Sequence, residues 1–160
     1  MNEEYKIGHS YDIHRLKRGL NLIIGGIIIP YKKGIVAHSD GDVLIHSITE
    51  AILGSLGLGD LGTHFPDTDI KNLNLDSFVM LEYALDRLKE YNYKIVNIDS
   101  IVYLEKPKMK DYVIDIKNNI NRLLNLDNNL NIKFTTFEKL GSIGRNKDIA
   151  SETIILIKKV

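Results

Sequence analysis

Hydrophobic residues along this chain recur at two spacings, and each spacing predicts a different kind of element. Alternation with a period of two is typical of a strand with one buried face, whereas recurrence every three or four residues is typical of an amphipathic helix. Strands are predicted at residues 5–14, 20–30, 93–105, 131–138 and 151–160. Helices are predicted at residues 39–58, 75–92 and 109–124. Their alternation predicts an α/β or α+β fold with helices covering one face of a sheet.

Glycine and aspartate residues add detail to two of these segments. Segment 20–30 is rich in β-branched residues and nearly continuous in apolarity, but Gly25 and Gly26 interrupt it. The helix at 39–58 has Asp40 close to its start, where a carboxylate can accept hydrogen bonds from the free amides of the first turn. We therefore expect a broken second strand and a helix capped by Asp40.

Length, charge and cysteine content exclude several functional classes. The chain has 160 residues, which suits a single catalytic domain over 1–160. It has 21 Lys and Arg against 21 Asp and Glu, so no strong net field attracts nucleic acid or an anionic membrane. The absence of cysteine excludes disulfides, thiolate nucleophiles and cysteine-type zinc sites. No apolar run reaches the roughly 18 residues of a membrane span, and no secretory signal is expected.

Three residues form a candidate metal site. Asp12 and His14 are two apart on a predicted strand, so their side chains point to the same face. An isolated pair of this kind is more often an ordinary surface pair. His46, on the first predicted helix, adds a third ligand and leaves a fourth position for water or substrate, although a buried histidine bonded to a backbone carbonyl is the alternative. Asp40 or Asp42 could accept a hydrogen bond from a ligand imidazole.

Two further stretches could meet anions or hydroxyl groups. His38 and Ser39 precede the first helix, where free backbone amides would attract an anion, although a plain position before the cap is an equal reading. Segment 59–69 contains two glycines, a proline and three aspartates, so it forms a rigid acidic loop or a simple solvated turn. The loop's candidates for hydroxyl and polyol contacts are Asp60, Gly62, Asp67 and Asp69.

The second half of the chain contains phosphate-binding candidates. Lys106 and Lys108 flank Pro107 at a predicted strand end, where a solvated basic turn is the alternative to a nucleotide contact. A glycine-containing loop follows the strand at 131–138, and hydroxyls and amides there can hold phosphate oxygens while a carboxylate holds a hard cation such as Mg²⁺. The residues concerned are Thr135, Thr136, Glu138 and Arg145. Together, these features indicate phosphoryl chemistry on a small polar substrate.

The segments GHSYDIH, AHSDGDVLIH, GDLGTHFPDTD, PKM and TTFEKLGSIGR resemble, in order, the 2-C-methyl-D-erythritol 2,4-cyclodiphosphate synthase family, and the resemblance covers nearly the whole chain. It implies a lyase of the non-mevalonate isoprenoid pathway. In that reaction the 2-phosphate of 4-diphosphocytidyl-2-C-methyl-D-erythritol 2-phosphate attacks the β-phosphate of the CDP group. CMP leaves and a cyclic diphosphate forms. The alternatives are a metal-dependent phosphohydrolase and a non-catalytic metal- or nucleotide-binding module.

The resemblance also implies roles for individual residues. Zn²⁺ is held by Asp12, His14 and His46, and Mg²⁺ or Mn²⁺ on the diphosphate by Glu138. His38 and Thr136 align the phosphates and stabilise the transition state. The substrate contacts are Asp12, His14, His38, Ser39, Asp60, Gly62, Phe65, Asp67, Asp69, Leu104, Pro107, Lys108, Met109, Thr135, Thr136, Glu138, Ser142 and Arg145. An axial cavity that binds isoprenoid diphosphates in some members is lined by Tyr11, Arg145 and Glu152.

The family resemblance implies a homotrimer with active sites between subunits. Each subunit is expected to have a ferredoxin-like, four-stranded mixed sheet around a three-fold axis, with helices packed on its other face. Two residues depart from the family pattern: Ser142 replaces an aromatic residue and Phe137 replaces a small one. The expected location is the cytoplasm of a bacterium, or the plastid stroma or apicoplast of a eukaryote after removal of a transit peptide.

Overall fold

The computed structural model describes residues 4–160, and its elements follow the predicted order with several additions. The strands are β1 Tyr5–Arg18, β2 Leu22–Ile24, β3 Ile27–Ile29, β4 Lys33–Val36, β5 Tyr93–Tyr103, β6 Leu130–Thr135 and β7 Asp148–Lys159. The helices are α1 Val43–Ser55, α2 Leu61–His64, α3 Ser77–Glu90, α4 Val113–Leu124 and α5 Gly141–Gly144. Short 3₁₀ turns lie at Ile70–Asn72 and Asp127–Asn129.

The main sheet is mixed and has five strands in the order β4-β1-β7-β5-β6. Only the β5–β6 pair is parallel, and the other neighbours are antiparallel. The expected count of four is therefore corrected to five, because the short edge strand β4 was not predicted. The predicted strand at 20–30 is wrong in detail: it is a hairpin, β2–β3, in a sheet of its own. Gly25 and Gly26 turn the chain there with φ of +59° and +74°, a conformation that suits glycine.

The helices cover one face of the main sheet, and α1 is the element closest to it. This helix contacts β1 and β7 on one side and α3 on the other, so nearly all its residues are buried. Gly8 of β1 permits the close approach. A Cβ atom at Gly8 would lie 1.9 Å from the carbonyl oxygen of Ala51, far inside contact distance. The missing side chain at Gly8 thus sets the distance between α1 and the sheet.

Helix α1 is capped by Asp42, not by Asp40 as predicted. Asp42 Oδ1 accepts hydrogen bonds from the amides of Ile45 at 3.1 Å and Gly25 at 3.0 Å, and its Oδ2 accepts from Gly26 at 2.6 Å. One buried carboxylate therefore caps the helix and holds the hairpin turn against it. Asp40 accepts from the Asp42 amide at 3.0 Å and stabilises the turn before the helix.

Four fully buried hydroxyl groups connect α1 to the centre of the sheet. Ser47 Oγ donates to the carbonyl oxygen of Leu44 at 3.0 Å, and lies 2.8 Å from both Ser151 Oγ and Thr153 Oγ1. Since Ser47 has a single proton, the other two hydroxyls donate to it. Thr153 has then used its own proton, so Ser100, at 2.8 Å, donates to Thr153. The hydrogen bonds therefore run from the sheet to α1: Ser100 donates to Thr153, Thr153 and Ser151 donate to Ser47, and Ser47 donates to the Leu44 carbonyl oxygen.

The opposite face of the main sheet is open and partly apolar. Large hydrophobic side chains on β1 and β7 are about half exposed or more there: Ile7, Tyr11, Ile13 and Ile154. An exposed apolar face of this kind is typical of a surface that contacts another molecule. Across residues 4–160, the structure contains no helix with the length and apolarity needed to cross a membrane.

We expect Asp42→Ala to lower the free energy of unfolding by about 2–4 kcal/mol, because it removes a helix cap and leaves the amides of the buried Gly25 and of the neighbouring Gly26 without their acceptor. Asp76→Ala is the matched control, since Asp76 caps α3 by accepting only from the Phe78 amide at its exposed end. Its expected loss is about 1 kcal/mol. Urea unfolding at one protein concentration measures both. Equal losses would contradict the role of Asp42 in holding the hairpin.

Candidate functional site

The three predicted metal ligands converge on one point at the edge of α1. Asp12 Oδ2 lies 2.9 Å from His14 Nε2 and 3.1 Å from His46 Nδ1. The two imidazole nitrogens are 3.4 Å apart. Strand β1 presents Asp12 and His14 on its helix-facing side, and α1 places His46 above them. The predicted grouping of these three residues is confirmed.

The geometry and chemistry of this group fit a divalent cation. A tetrahedral zinc with bonds of about 2.0–2.1 Å would place its ligand atoms roughly 3.3 Å from each other. The three observed separations, 2.9, 3.1 and 3.4 Å, are close to that value. One carboxylate and two imidazoles form a common ligand set for catalytic zinc, with one position left open. The alternative for His46, a bond to a backbone carbonyl, does not describe its second nitrogen, which lies beside hydroxyl groups.

The electrostatics of the group favour positive charge between the ligands. Burial raises the pKa of Asp12, but hydrogen bonds and charge from His14 and His46 outweigh it and hold that pKa well below its usual range. Burial lowers the pKa of His46, but Asp12, Asp42 and Asp40 together outweigh it and raise that pKa. The negative charge of Asp12 and of the nearby Asp40 and Asp42, which favours the protonated form of His46, would also attract a metal cation bound between the three ligands.

A cavity of about 400 Å³ opens beside the three ligands. It brings together the metal residues and several predicted substrate contacts from the loops on either side of α1. The predicted residues that line it are Asp12, His14, His38, Ser39, His46, Phe65 and Asp67. His38 Nε2 is buried and has no hydrogen-bond partner among the described residues. Such a nitrogen is costly unless a ligand or water pairs with it.

The predicted nucleotide contacts lie in a second cleft of about 470 Å³. It shares no lining residue with the first cavity. Its predicted members are Leu104, Pro107, Lys108, Met109, Thr135 and Thr136. The loop beyond β6 continues from this cleft, and Thr136 Oγ1 donates to Glu138 Oε1 at 3.1 Å. Within one chain, the structure therefore does not bring Thr136 and Glu138 to the metal ligands.

Three members of the predicted acidic loop lie outside the lining of the first cavity. Asp60 Oδ1 accepts from the Thr63 amide at 2.9 Å and from its hydroxyl at 2.6 Å, and thereby caps α2. Asp69 caps the 3₁₀ turn by accepting from the Lys71 amide at 3.0 Å. Gly62 is an exposed residue of α2. Asp60 and Asp69 thus have clear local structural roles, whatever they contact in a ligand complex.

The predicted axial residues Tyr11 and Glu152 lie together on the open face of the sheet. They are direct partners in the pairing of β1 with β7. Glu152 accepts from the Tyr103 hydroxyl at 2.8 Å and lies 2.8 Å from His9 Nε2. Burial and the hydrogen bond to Glu152 raise the pKa of Tyr103 to about 12. Arg145 follows α5, which contains the half-buried Ser142, and is exposed.

The expectation that Asp40 or Asp42 contacts a ligand imidazole directly is corrected. Asp42 is occupied by backbone amides. Asp40 reaches the ring only through Ser77, whose Oγ lies 2.8 Å from His46 Nε2. Ser39 Oγ also lies 3.1 Å from that nitrogen. Ser77 was not predicted, because its link to His46 depends on how α3 packs against α1.

Glu50 is a second residue that the sequence analysis missed. It lines the metal cavity one helical turn after His46, and that spacing of four was the available signal. Its Oε2 accepts from Ser10 Oγ at 2.8 Å, and its Oε1 accepts from the Leu61 amide at 3.2 Å. Glu50 therefore connects β1, α1 and the start of α2 around the cavity.

The chain is similar to known proteins along nearly its full length. The model of the YgbB family matches residues 5–158. A relative from Fusobacterium nucleatum subsp. nucleatum, named 2-C-methyl-D-erythritol 2,4-cyclodiphosphate synthase, is 46% identical over 155 residues, which cover 96% of this chain and 97% of that protein.

Two solved structures have the same fold. The bifunctional IspDF from Campylobacter jejuni has a TM-score of 0.94 at 41% identity and matches 99% of this chain, which spans only 43% of that longer protein. The CDP complex of IspF from Plasmodium falciparum has a TM-score of 0.84 at 37% identity, with 96% of this chain and 95% of that chain covered.

We expect Glu50→Ala to increase the hydrogen-exchange rate of the Leu61 amide about 10-fold or more, since a hydrogen bond to a charged group contributes roughly 1.5–3 kcal/mol. Mass spectrometry of a peptide covering residues 58–66 measures the rate. Glu82→Ala, an exposed glutamate of α3, is the matched control and should leave that peptide unchanged. Unchanged exchange in Glu50→Ala as well would show that Glu50 does not hold α2.

Proposed function

Because the chain belongs to the YgbB family, we propose that it converts 4-diphosphocytidyl-2-C-methyl-D-erythritol 2-phosphate to 2-C-methyl-D-erythritol 2,4-cyclodiphosphate and CMP. It is a lyase of the non-mevalonate pathway to isoprenoid precursors. The observation that carries the proposal is the convergence of Asp12, His14 and His46 at the edge of a cavity that also contains His38 and Ser39. Those residues offer a cation site beside phosphate-binding donors.

The reaction requires no nucleophilic side chain. An oxygen of the substrate's own 2-phosphate forms a bond to the β-phosphorus, and the bond from that phosphorus to the bridging oxygen breaks. CMP leaves with the electron pair, so atoms and charge balance without water. The protein's contribution is to hold the two phosphates in line and to neutralise their charge. This suits a chain that has no cysteine.

Asp12, His14 and His46 would hold Zn²⁺, which supplies positive charge that polarises the attacked phosphate. Glu138 would hold Mg²⁺ or Mn²⁺ with the diphosphate, as expected for an exposed carboxylate and a hard cation. The unpartnered Nε2 of His38 supports its role in aligning a phosphate oxygen. Thr136, an exposed residue directly after β6, would stabilise the transition state from the nucleotide side.

The remaining contacts divide between the two clefts. The methylerythritol part would meet Ser39, Phe65 and Asp67 in the metal cavity, with Asp69 nearby in the same loop. Asp60 and Gly62 are proposed for the ribose. The cytosine and its phosphates would occupy the second cleft, lined by Leu104, Pro107, Lys108, Met109 and Thr135. Ser142 and Arg145 complete the proposed set, through the backbone at Ser142.

The separation of the two clefts supports an active site formed between subunits. One chain holds both halves, but they share no lining residue. A homotrimer around a three-fold axis would bring the metal half of one subunit to the nucleotide half of its neighbour. The open apolar face of the sheet offers a surface for that assembly. Tyr11 and Glu152 on this face, with Arg145, would line the axial cavity for an isoprenoid diphosphate.

One assay separates the synthase from its alternatives. Incubation with the CDP-methylerythritol phosphate substrate, followed by chromatography and ³¹P NMR, should yield CMP and one cyclic diphosphate in equal amounts. Release of inorganic phosphate instead would support a metal-dependent phosphohydrolase. Absence of turnover in the zinc- and magnesium-loaded protein would support a non-catalytic module.

We expect His14→Ala and His46→Ala each to lose most bound zinc and nearly all CMP release, because a three-ligand site loses a third of its protein donors. Metal analysis of the purified variants measures the first effect, and the chromatographic assay measures the second. His64→Ala is a suitable control, because His64 is bonded to the Leu58 carbonyl and Tyr83 away from the ligand group. Full zinc occupancy in the first two variants would refute the ligand set.

We expect two inactive variants to restore each other when they are mixed. His14→Ala damages only the metal half and Thr136→Ala only the nucleotide half. After joint refolding in equal amounts, about a quarter of the sites should combine two intact halves, because random assembly pairs them with that frequency. Each variant refolded alone is the control and stays inactive. Hetero-trimers without recovered activity would show that each site lies within one subunit.

A further inference from the structure

We infer that Asp40 and Ser77 are positioning residues that keep the proton of His46 on Nε2, so that Nδ1 is left without a proton and free to bind the cation. The inference rests on the proposed function of Asp12, His14 and His46 as a metal centre. It concerns groups behind the ligands, which touch neither the cation nor the substrate. Asp40, Ser77 and His46 are called the relay below.

The relay runs from the loop before α1, through the first residue of α3, to the ring on α1. Ser77 is fully buried, and its Oγ lies within hydrogen-bond distance of Asp40 Oδ1 and 2.8 Å from His46 Nε2. Asp40 Oδ2 also accepts from the Ser77 amide at 2.9 Å, so two bonds hold the serine in place. Since Ser77 is buried between the other two, it cannot exchange them for water.

Counting protons gives the relay a single direction. A carboxylate only accepts, so the one proton of the Ser77 hydroxyl is donated to Asp40. The serine oxygen can then only accept from His46, so His46 Nε2 must carry a proton. In a neutral imidazole one nitrogen donates and the other is bare. Nδ1 is therefore the bare nitrogen, and it is the one that faces Asp12 and His14.

Asp12 would favour the opposite arrangement, with the proton on His46 Nδ1, at 3.1 Å. Asp12 has another donor, however, because His14 Nε2 lies closer, at 2.9 Å. Ser77 has no such substitute, since a proton moved from His46 Nε2 would leave its oxygen facing a bare nitrogen in a buried position. We therefore expect the proton of the neutral His46 ring to stay on Nε2, despite the proximity of Asp12 to Nδ1. The buried hydrogen bonds of the relay also restrict rotation of the ring.

Ser39 gains a role from the same count. Its Oγ lies 3.1 Å from His46 Nε2, so the N–H group of that nitrogen forms a bifurcated hydrogen bond to Ser39 Oγ and Ser77 Oγ. The hydroxyl proton of Ser39 then remains available for an oxygen in the cavity that Ser39 lines. The relay thus has two effects: it leaves the lone pair of His46 Nδ1 available to a cation, and it leaves the Ser39 hydroxyl proton available to an oxygen in the cavity.

Nitrogen-15 NMR of the wild-type protein tests the proton position directly. Long-range ¹⁵N–¹H correlation distinguishes the two neutral forms of a histidine, and loss of one signal set in His46→Ala assigns the ring. We expect Nε2 to carry the proton in the zinc-free protein once the ring is neutral, and in the zinc-loaded protein. A proton on Nδ1 of the neutral ring would overturn the inference, whether or not zinc binds.

Zinc affinity, measured by competition with a chromophoric chelator, tests the consequence. We expect Ser77→Ala and Asp40→Asn each to weaken binding about 10-fold or more, the usual loss for a group that orients a ligand. The double variant should be little weaker than either one, because both act through one hydrogen-bonded chain. Ser55→Ala is the matched control: this buried serine of α1 bonds only to the Ile52 carbonyl, and its loss should leave affinity unchanged.

The results separate this inference from the proposed function. Zinc binding that is tight in the wild type and within about twofold of it in a folded Ser77→Ala would refute the relay and leave the ligand set intact. Weak binding in the wild type itself would refute the metal centre. In that case the NMR spectrum of the zinc-free protein still decides the position of the proton.

Discussion

The contact between α1 and β1 at Gly8 determines most of what this protein can do. The backbone of the helix lies directly on the strand because no side chain separates them. Because α1 lies so close to the sheet, His46 reaches Asp12 and His14, and Glu50 reaches Ser10. A methyl group at position 8 would collide with a helix carbonyl and raise that side of α1. The ligand triangle, with edges near 3 Å, has little tolerance for such a displacement.

The sequence predicts the chemistry on regular elements better than the connections between them. Asp12 and His14 were predictable because alternation on a strand is a local rule, and the helix containing His46 has a clear period. The hairpin at Gly25 and Gly26 was missed because a continuous apolar run conceals a turn. Asp42, not Asp40, caps α1 because the helix begins at Val43 and the Ile45 amide lies within reach of the Asp42 carboxylate. The additional bonds from Gly25 and Gly26 to that carboxylate depend on tertiary packing and could not be predicted.

Ser77, Glu50 and the division into two clefts illustrate the same limit. Ser77 depends on the packing of α3 against α1, and Glu50 on the packing of β1 and α2 against α1. A protein with no net charge must also bind a highly anionic substrate with local donors alone. His38 and Ser39 are such donors, and Asp12, His14 and His46 would add positive charge by holding a cation beside them. These groups act together only where the fold assembles them.

The four buried hydroxyls beneath α1 have a consequence for how this sequence can change over time. Each hydroxyl in the chain from Ser100 to Ser47 depends on the next one for its acceptor. Loss of Ser47 would leave Ser151 and Thr153 without acceptors in a dry interior, whereas loss of Ser100 at the far end would leave no donor stranded. The order of substitutions therefore matters. During evolution Ser100 can be replaced first without leaving a buried donor unpaired, whereas replacing Ser47 first destabilises the protein.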